Sequence, residues 1–185
     1  MKIERIIRTI QKLRFVSIID GCDRAEFIRK YDIFAGMGKN CMFQSRKFPM
    51  DPKMVKIHDN VTVAADVTFC THDAIRHVLQ FYDDHEYVPH MGCIEIEDNV
   101  FVGLGTIIMP NVHIGKNSII AAGSLVLKDV PAGSVVGGHP AKFIGDFEDI
   151  HQKRIKEAEL YSNKKNSDYQ ALLWQNFDRA HGKNI

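Results

Sequence analysis

The stretch "IEDNVFVGLGTIIMPNVHIGKNSIIAAGSLVLKDVP", residues 96 to 131, decides how this chain folds. Read in sixes, it places Ile96, Val102, Ile108, Ile114, Ile120 and Val126 at the first position. The fifth position holds Val100, Thr106, Val112, Ser118, Ser124 and Val130, all small or β-branched. The chain is 45% hydrophobic. At that frequency an unbroken set of apolar first positions arises by chance in roughly one window in a hundred.

A six-residue period has a physical meaning. Each segment supplies one wall of a three-sided coil, and its first-position residue fills the interior. The fifth position lies near a corner and must stay small. One coil cannot bury its own core, whereas stacked coils bury a continuous apolar column. The same frame runs back through Ile57, Val63 and Phe69, then through Met37 and Phe43 after a slip of two residues. The slip falls in "RKFPMDPKM", residues 46 to 54, where Pro49 and Pro52 predict a loop or an irregular wall.

Between Phe69 and Ile96 the frame is lost over "AIRHVLQFYDDHEYVPHMGC", residues 74 to 93. This segment reads as a loop thrown out from a coil corner, and loops of such length inside compact domains are more often functional than not. It carries the aromatics Phe81, Tyr82 and Tyr87, the acids Asp83, Asp84 and Glu86, and the histidines His77, His85 and His90. Asp83 and Asp84 suit the hydroxyls of a sugar, with plain solvation as the alternative. The three histidines read as polar loop residues.

The flanks are helical. Ile3, Ile6, Ile7, Ile10 and Leu13 recur at helical spacing over residues 2 to 14, with Lys2, Arg5, Arg8, Lys12 and Arg14 on the polar side. Such a helix can lie on an anionic membrane, but docking on its own core is the plainer reading. Asp23 is a candidate N-cap for a second helix, Arg24 to Lys30. After Gly145 the pattern turns helical again through "FEDIHQKRIKEAELY" and on to Tyr169, Leu173 and Phe177. The single Trp174 is expected to anchor this tail on the body or on a neighbouring subunit. The expected organisation is therefore an N-terminal helical segment (1–32), a coil domain (33–145) with the 74–93 excursion, and a helical tail (146–185).

Composition narrows the function. The chain has 185 residues, 25% of them charged, and a formal net charge of +1, which suits one soluble domain and gives no case for nucleic acid as a partner. Cys22, Cys41, Cys70 and Cys93 lie far apart with no C-x-x-C pair, against a structural zinc site and in keeping with a reducing compartment. No run of 18 apolar residues predicts a membrane span. "MKIERIIRTIQKL" alternates apolar residues with charge, unlike a signal peptide, so a cytoplasmic protein is expected.

The hexads, the "THD" at 71–73 before an excised loop, and "GSLVLKDVPAGSVVGGHPAKFIG" at 123–145 together resemble the hexapeptide-repeat acyltransferases. The branch resembled contains the galactoside, maltose and nodulation-factor O-acetyltransferases and the polysaccharide O-acetyltransferases. The resemblance covers residues 33 to 145. It implies a mainly β fold, a left-handed parallel β-helix, with short N-terminal helices and a C-terminal helical tail. It also implies a homotrimer with active sites between subunits, acetyl-CoA as co-substrate, a saccharide acceptor and no requirement for metal.

Carried over by position, the resemblance makes His72 the catalytic histidine. The chemistry fits, because acyl transfer from a thioester to a hydroxyl needs a base for the hydroxyl proton, and neutral imidazole serves near pH 7. No acyl-enzyme is needed. A carboxylate or carbonyl should fix the imidazole tautomer; the adjacent Asp73 is not assigned to that role, since strand neighbours point to opposite faces. The plain alternative for His72 is a solvated strand-end histidine.

Coenzyme contacts carry over onto Leu104, Gly105, Ala122, Leu127, Lys128, Pro140 and Lys142. On this reading Gly103, Gly105, Ala121, Ala122 and Gly123 are small so that the pantetheine arm can approach the backbone, and Lys128 and Lys142 neutralise coenzyme phosphates. The sequence departs from the family at His139, usually Asn, and at Leu127, often Thr. Where the sugar acetyltransferases place an asparagine for the acceptor, this chain reads Gln44, Ser45, Arg46, which makes Gln44 and Arg46 candidate substrate contacts.

Other readings stay open. Within acyl transfer, N-acetylation of a nucleotide-linked amino sugar uses the same coil. Serine acetyltransferase fits less well, for want of its long helical N-terminal domain. His58, His72 and His77 raise a zinc site like that of the gamma-class carbonic anhydrases, although His77 falls in the excursion and outside any hexad. A non-catalytic scaffold is the last alternative.

Overall fold

The computed structural model describes residues 2–161 and 166–182. The side chains of Lys2, Ile3, Arg5 and Arg8, named above, lie outside the described residues. The chain divides into two compact units, residues 1–147 and 148–185.

In the first unit, α1 (Lys2–Ser17) and α2 (Gly21–Lys30) precede the coil. Asp20, not Asp23, caps α2: its carboxylate accepts from the amides of Cys22 at 2.7 Å and Asp23 at 3.0 Å. The helix therefore starts three residues earlier than the sequence pattern suggests, and Asp23 becomes a first-turn acid favoured by the helix dipole. Docking of α1 also departs from expectation. Ile6, Ile7, Ile10 and Leu13 are all at least half exposed; what α1 buries is Phe15, edge-on to Phe43 and Phe48.

The coil begins with β1 (Gly36–Met37), β2 (Met42–Phe43), β3 (Val55–Ile57), β4 (Thr62–Val63) and β5 (Thr68–Phe69). After the excursion come β6 (Ile94–Ile96), β7 (Val100–Val102), β8 (Ile107–Ile108), β9 (Val112–Ile114), β10 (Ser118–Ile120) and β11 (Leu125–Val126), and β12 (Ser134–Gly137) with β13 (Lys142–Asp146) closes the stack. Three sheets form the three walls: β1-β3-β6-β9, β2-β4-β7-β10-β12-β13, and β5-β8-β11. Every pairing is parallel except the terminal β12–β13 hairpin, which is antiparallel. From β1 to β11 each strand hands on to another wall, and the corner residues Asn60, Asp66, Asn99, Asn111 and Asn117 take left-handed backbone angles that turn the chain.

Register measures the coil. Ile96 pairs with Ile114 and Ile108 with Val126, eighteen residues on, which is three hexads. Met37 pairs with Ile57 and Phe43 with Val63, twenty residues on, and this is the two-residue slip. Ile57 pairs with Ile96 thirty-nine residues on, one coil plus the excursion. All six first-position residues of 96–131 are buried, as are all six fifth-position residues. The six first-position residues form one apolar column with Val100, Val112, Val130, Phe43, Val63 and Phe69, the packing that supplies most of the fold's stability, while Thr106, Ser118 and Ser124 are buried polar residues beside it.

"Mainly β" describes residues 33–145, not the whole chain. The five helices hold more described residues than the thirteen strands, because each wall contributes a ladder of only two to five residues. The 74–93 segment is not wholly irregular either, since Ile75–Leu79 forms a short helix, α3. In the second unit, α4 (Phe147–Tyr161, whose first residue belongs to the first unit) and α5 (Asn166–Ala180) bring Tyr161 and Tyr169 to 4.9 Å between ring centroids. Trp174 packs edge-on against Phe177.

Candidate active site

His72 stands where the third wall ends. Thr68 and Phe69 form β5, the chain leaves the wall over Cys70 and Thr71, and His72 makes a single antiparallel bridge to Met91 where the excursion returns. The amide of Gly92 donates to the carbonyl of Thr71 at 2.9 Å. His72 is thus clamped at both ends of the loop it opens.

The partner of its ring is Asp51. Asp51 Oδ2 lies 2.5 Å from His72 Nδ1 and accepts a second hydrogen bond from Thr71 Oγ1 at 3.0 Å. A carboxylate accepts only, so Nδ1 donates the proton of this bond, an arrangement that leaves the lone pair on Nε2 when the ring is neutral. Both side chains are about one-third exposed. They line a cavity of about 380 Å³ together with Asp73, Arg76, His77 and Met91. Asp73 turns elsewhere, its Oδ1 accepting from the amide of Ile75 at 2.9 Å.

The hexad pattern does not mark Asp51, because it lies in the irregular wall. The coil slip nonetheless contains the signal. A coil of twenty residues at this level places residue 51 beneath residue 71, just as Phe43 lies beneath Val63.

The predicted coenzyme residues fall into two groups. Leu127, Lys128, Pro140 and Lys142 line one cavity of about 360 Å³ with an otherwise mostly apolar wall. Sheet register stacks Val126 over Ile108 and Ile108 over Phe69, so Leu127 and Lys128 leave the wall two coils above Cys70 and Thr71. Leu104, Gly105 and Ala122 occupy the opposite edge of that wall, where the amide of Gly123 donates to Leu104 O at 2.7 Å. The closing motif joins the two edges: His139 Nδ1 donates to the carbonyl of Gly123 at 2.9 Å while Pro140 reaches the Lys128 cavity. The small residues have causes within the coil. A Cβ on Gly103 would meet the amide nitrogen of Ala122 at 2.5 Å, so stacking of coils alone requires glycine there. Gly105 has φ +68°, a corner conformation.

The candidate acceptor residues are not brought to His72 within the chain. Gln44 and Arg46 line a separate depression with Ser17, Asp20 and Ala65. Asp83 serves the excursion itself, accepting from the amide of His85 at 3.0 Å and then from Tyr87 Oη at 2.9 Å, bonds that hold its carboxyl below the ordinary carboxylate range. Asp84 is exposed and outside the His72 cavity. The zinc reading, like the gamma-class site, would draw its histidines from across a subunit interface, and within one chain His58, His72 and His77 do not meet. His77 shares the His72 cavity and bonds to Gln80, but His58 belongs to the first wall, 2.7 Å from Glu95.

Comparison with known proteins places the chain in a family. The family described as bacterial transferase hexapeptide (six repeats) matches residues 93–128. YvoF of Bacillus subtilis (strain 168), whose name assigns it provisionally to the acetyltransferases, is 34% identical over 66% of this chain and 67% of its own. CapG of Staphylococcus aureus is 37% identical over 70% of this chain and 76% of its own. The chain belongs to the hexapeptide-repeat acyltransferases. It spans about half the length of some other curated relatives. Among solved structures of hexapeptide-repeat acyltransferases, a galactoside acetyltransferase in complex with coenzyme A superposes with a TM-score of 0.62 at 25% identity, covering 80% of this chain and 82% of that one.

Proposed function

We propose that the protein transfers an acetyl group from acetyl-CoA to a hydroxyl of a saccharide, with His72 as general base. The observation that carries this reading is the Asp51–His72 pair at the wall of a cavity, below the corner that presents Lys128. His72 Nε2 takes the proton of the acceptor hydroxyl as its oxygen attacks the thioester carbonyl. The tetrahedral intermediate collapses with cleavage of the carbon–sulfur bond, and the imidazolium returns the proton to the departing sulfur. Asp51 fixes the ring and stabilises its transient positive charge. Lys128 and Lys142, beside an apolar surface, match a donor with phosphates at one end and an apolar arm at the other. The saccharide acceptor rests on the galactoside acetyltransferase likeness.

Membership of the hexapeptide-repeat family supports a left-handed coil, and the proposal includes a homotrimer whose subunits complete one another's sites. Phe101, Leu104 and Leu127 stand exposed on the coil exterior, apolar surface that a neighbouring copy covers in such an assembly. Light scattering should therefore report three chains per particle. The four cysteines are all unpaired, which supports a cytoplasmic setting, and among the described residues no helix is long and apolar enough to cross a membrane.

The deciding experiment is His72→Ala with acetyl-CoA and a galactoside. Turnover should fall by at least about a hundredfold while coenzyme A binds with unchanged affinity. Near-normal turnover would end the base assignment.

A further inference from the structure

Phe15 fixes α1 to the body, buried edge-on against Phe43 and Phe48. At the α-helical pitch, Ile6, Ile10 and Leu13 then fall about 140° to 180° round the helix from it. Anchoring at Phe15 therefore turns this stripe away from the coil. Ile6 is 58% exposed, Ile10 50% and Leu13 67%, and Ile19, just past the helix, is 85% exposed. Contiguous apolar surface of this kind marks a contact with another surface. α1 also differs from the rest of the chain in charge. Residues 2–17 hold five basic residues against Glu4 alone, a net +4, so the chain's formal +1 leaves the remaining residues at −3. Lys12 and Arg14 flank Leu13 in sequence, and both are exposed.

We infer that α1 docks the protein on an anionic lipid surface: its Ile6, Ile10 and Leu13 face enters the headgroup boundary while its basic residues meet the lipid phosphates. Charge selects this occupant over a second copy of the chain. Two α1 stripes brought face to face would set one +4 segment against another, whereas an anionic bilayer complements it. Charge also sets the orientation, because the −3 carried by the remaining residues is repelled by the same surface and keeps the coil on the water side. A single helix with an aliphatic stripe and a basic flank attaches reversibly, lying in the interface plane, and salt weakens the attachment. The inference is independent of the acetyl-transfer reading.

The test sediments the full chain with vesicles of phosphatidylcholine, alone or with about one-third phosphatidylglycerol, at low and at high salt. At low salt the anionic vesicles should bind the protein at least about tenfold more tightly than the neutral ones, and the advantage should fade as salt is raised. Leu13→Asp and, separately, the pair Lys12→Gln with Arg14→Gln should each weaken binding to the anionic vesicles by about tenfold. All three side chains are exposed, so the variants should keep the parent's urea midpoint. No binding, equal binding to the two vesicle types, or variants that bind like the parent overturns the inference. Variants whose particle mass falls in light scattering give the stripe to a neighbouring copy and overturn it too.

Discussion

The Asp51 carboxylate lies 2.5 Å from His72 Nδ1 across twenty-one residues of sequence. In the proposed mechanism Asp51 acts through His72, so its loss should matter only while His72 is present. Asp51→Asn keeps the side chain's size but removes the charge that stabilises an imidazolium. It should lower kcat by about 10- to 10³-fold with little change in KM for acetyl-CoA. Asp51→Glu, which keeps the charge at a shifted position, should recover part of the loss. The double variant with His72→Ala should be hardly slower than His72→Ala alone. Additive losses would give Asp51 a role independent of the histidine.

How much of this was legible in the sequence differs by element. The coil could be read because each buried position recurs at a fixed interval, from Ile96 to Val126, and burial enforces the recurrence directly. His72 is singled out by its match to the family's histidine before the excised loop, a resemblance that the strand pattern alone does not supply. Asp51 was not legible, because its role depends on stacking between coils, and the prolines at 49 and 52 hide the offset that aligns it with Thr71. Helix details failed for a related reason. The Ile6–Ile10–Leu13 stripe has the periodicity of a docked face, yet periodicity cannot say which residue meets the core, and Phe15 does. The acids of the excursion suggested sugar contacts, but local bonds to Tyr87 and His85 use Asp83 instead.

Lys128 and Lys142 should each contribute to donor binding through charge. Both are exposed, so neither is worth much alone. Lys128→Ala and Lys142→Ala should each raise KM for acetyl-CoA by up to about fivefold, less at high salt, with kcat nearly constant. Steady-state kinetics at two ionic strengths checks this. A fall in kcat with unchanged KM would place these lysines outside donor binding.

On the first wall, the hydrogen bond from His58, then that from Lys56, holds Glu95 down to about 2, below its ordinary 4.5. Such a group stabilises the fold above its unfolded value and loses that contribution as pH falls through its folded one. Glu95 is 39% exposed, so solvent screening limits the contribution to about 1 kcal/mol or less. Glu95→Gln should therefore be slightly less stable than the parent near neutral pH. The difference should shrink as pH is lowered from about 4.5 towards 2, read as urea midpoints of the two proteins side by side. A gap that stays constant across that window would show that the ion pairs contribute nothing.

Arg24 makes the strongest stability prediction. It is 1% exposed and donates to backbone carbonyls of three segments: Phe15 O at 3.3 Å, Phe43 O at 2.7 Å and Gln44 O at 3.0 Å, with Ile18 O and Ile19 O completing the set. The guanidinium also lies over the ring of Phe15. Burial, then the charge of Arg46, lowers its affinity for the proton. One side chain thus ties α1, the α1–α2 turn and the first coil together, where the apolar column would otherwise end in unpaired carbonyls. Arg24→Met preserves the stem and removes every donor, so the carbonyls lose their partners in a desolvated setting. It should cost about 3–5 kcal/mol. Arg24→Lys keeps the charge but cannot reach several carbonyls in a planar fork, and should fall between the two. Equilibrium urea unfolding orders the three proteins, and a methionine variant as stable as the parent would mean that water or a shifted backbone satisfies those carbonyls.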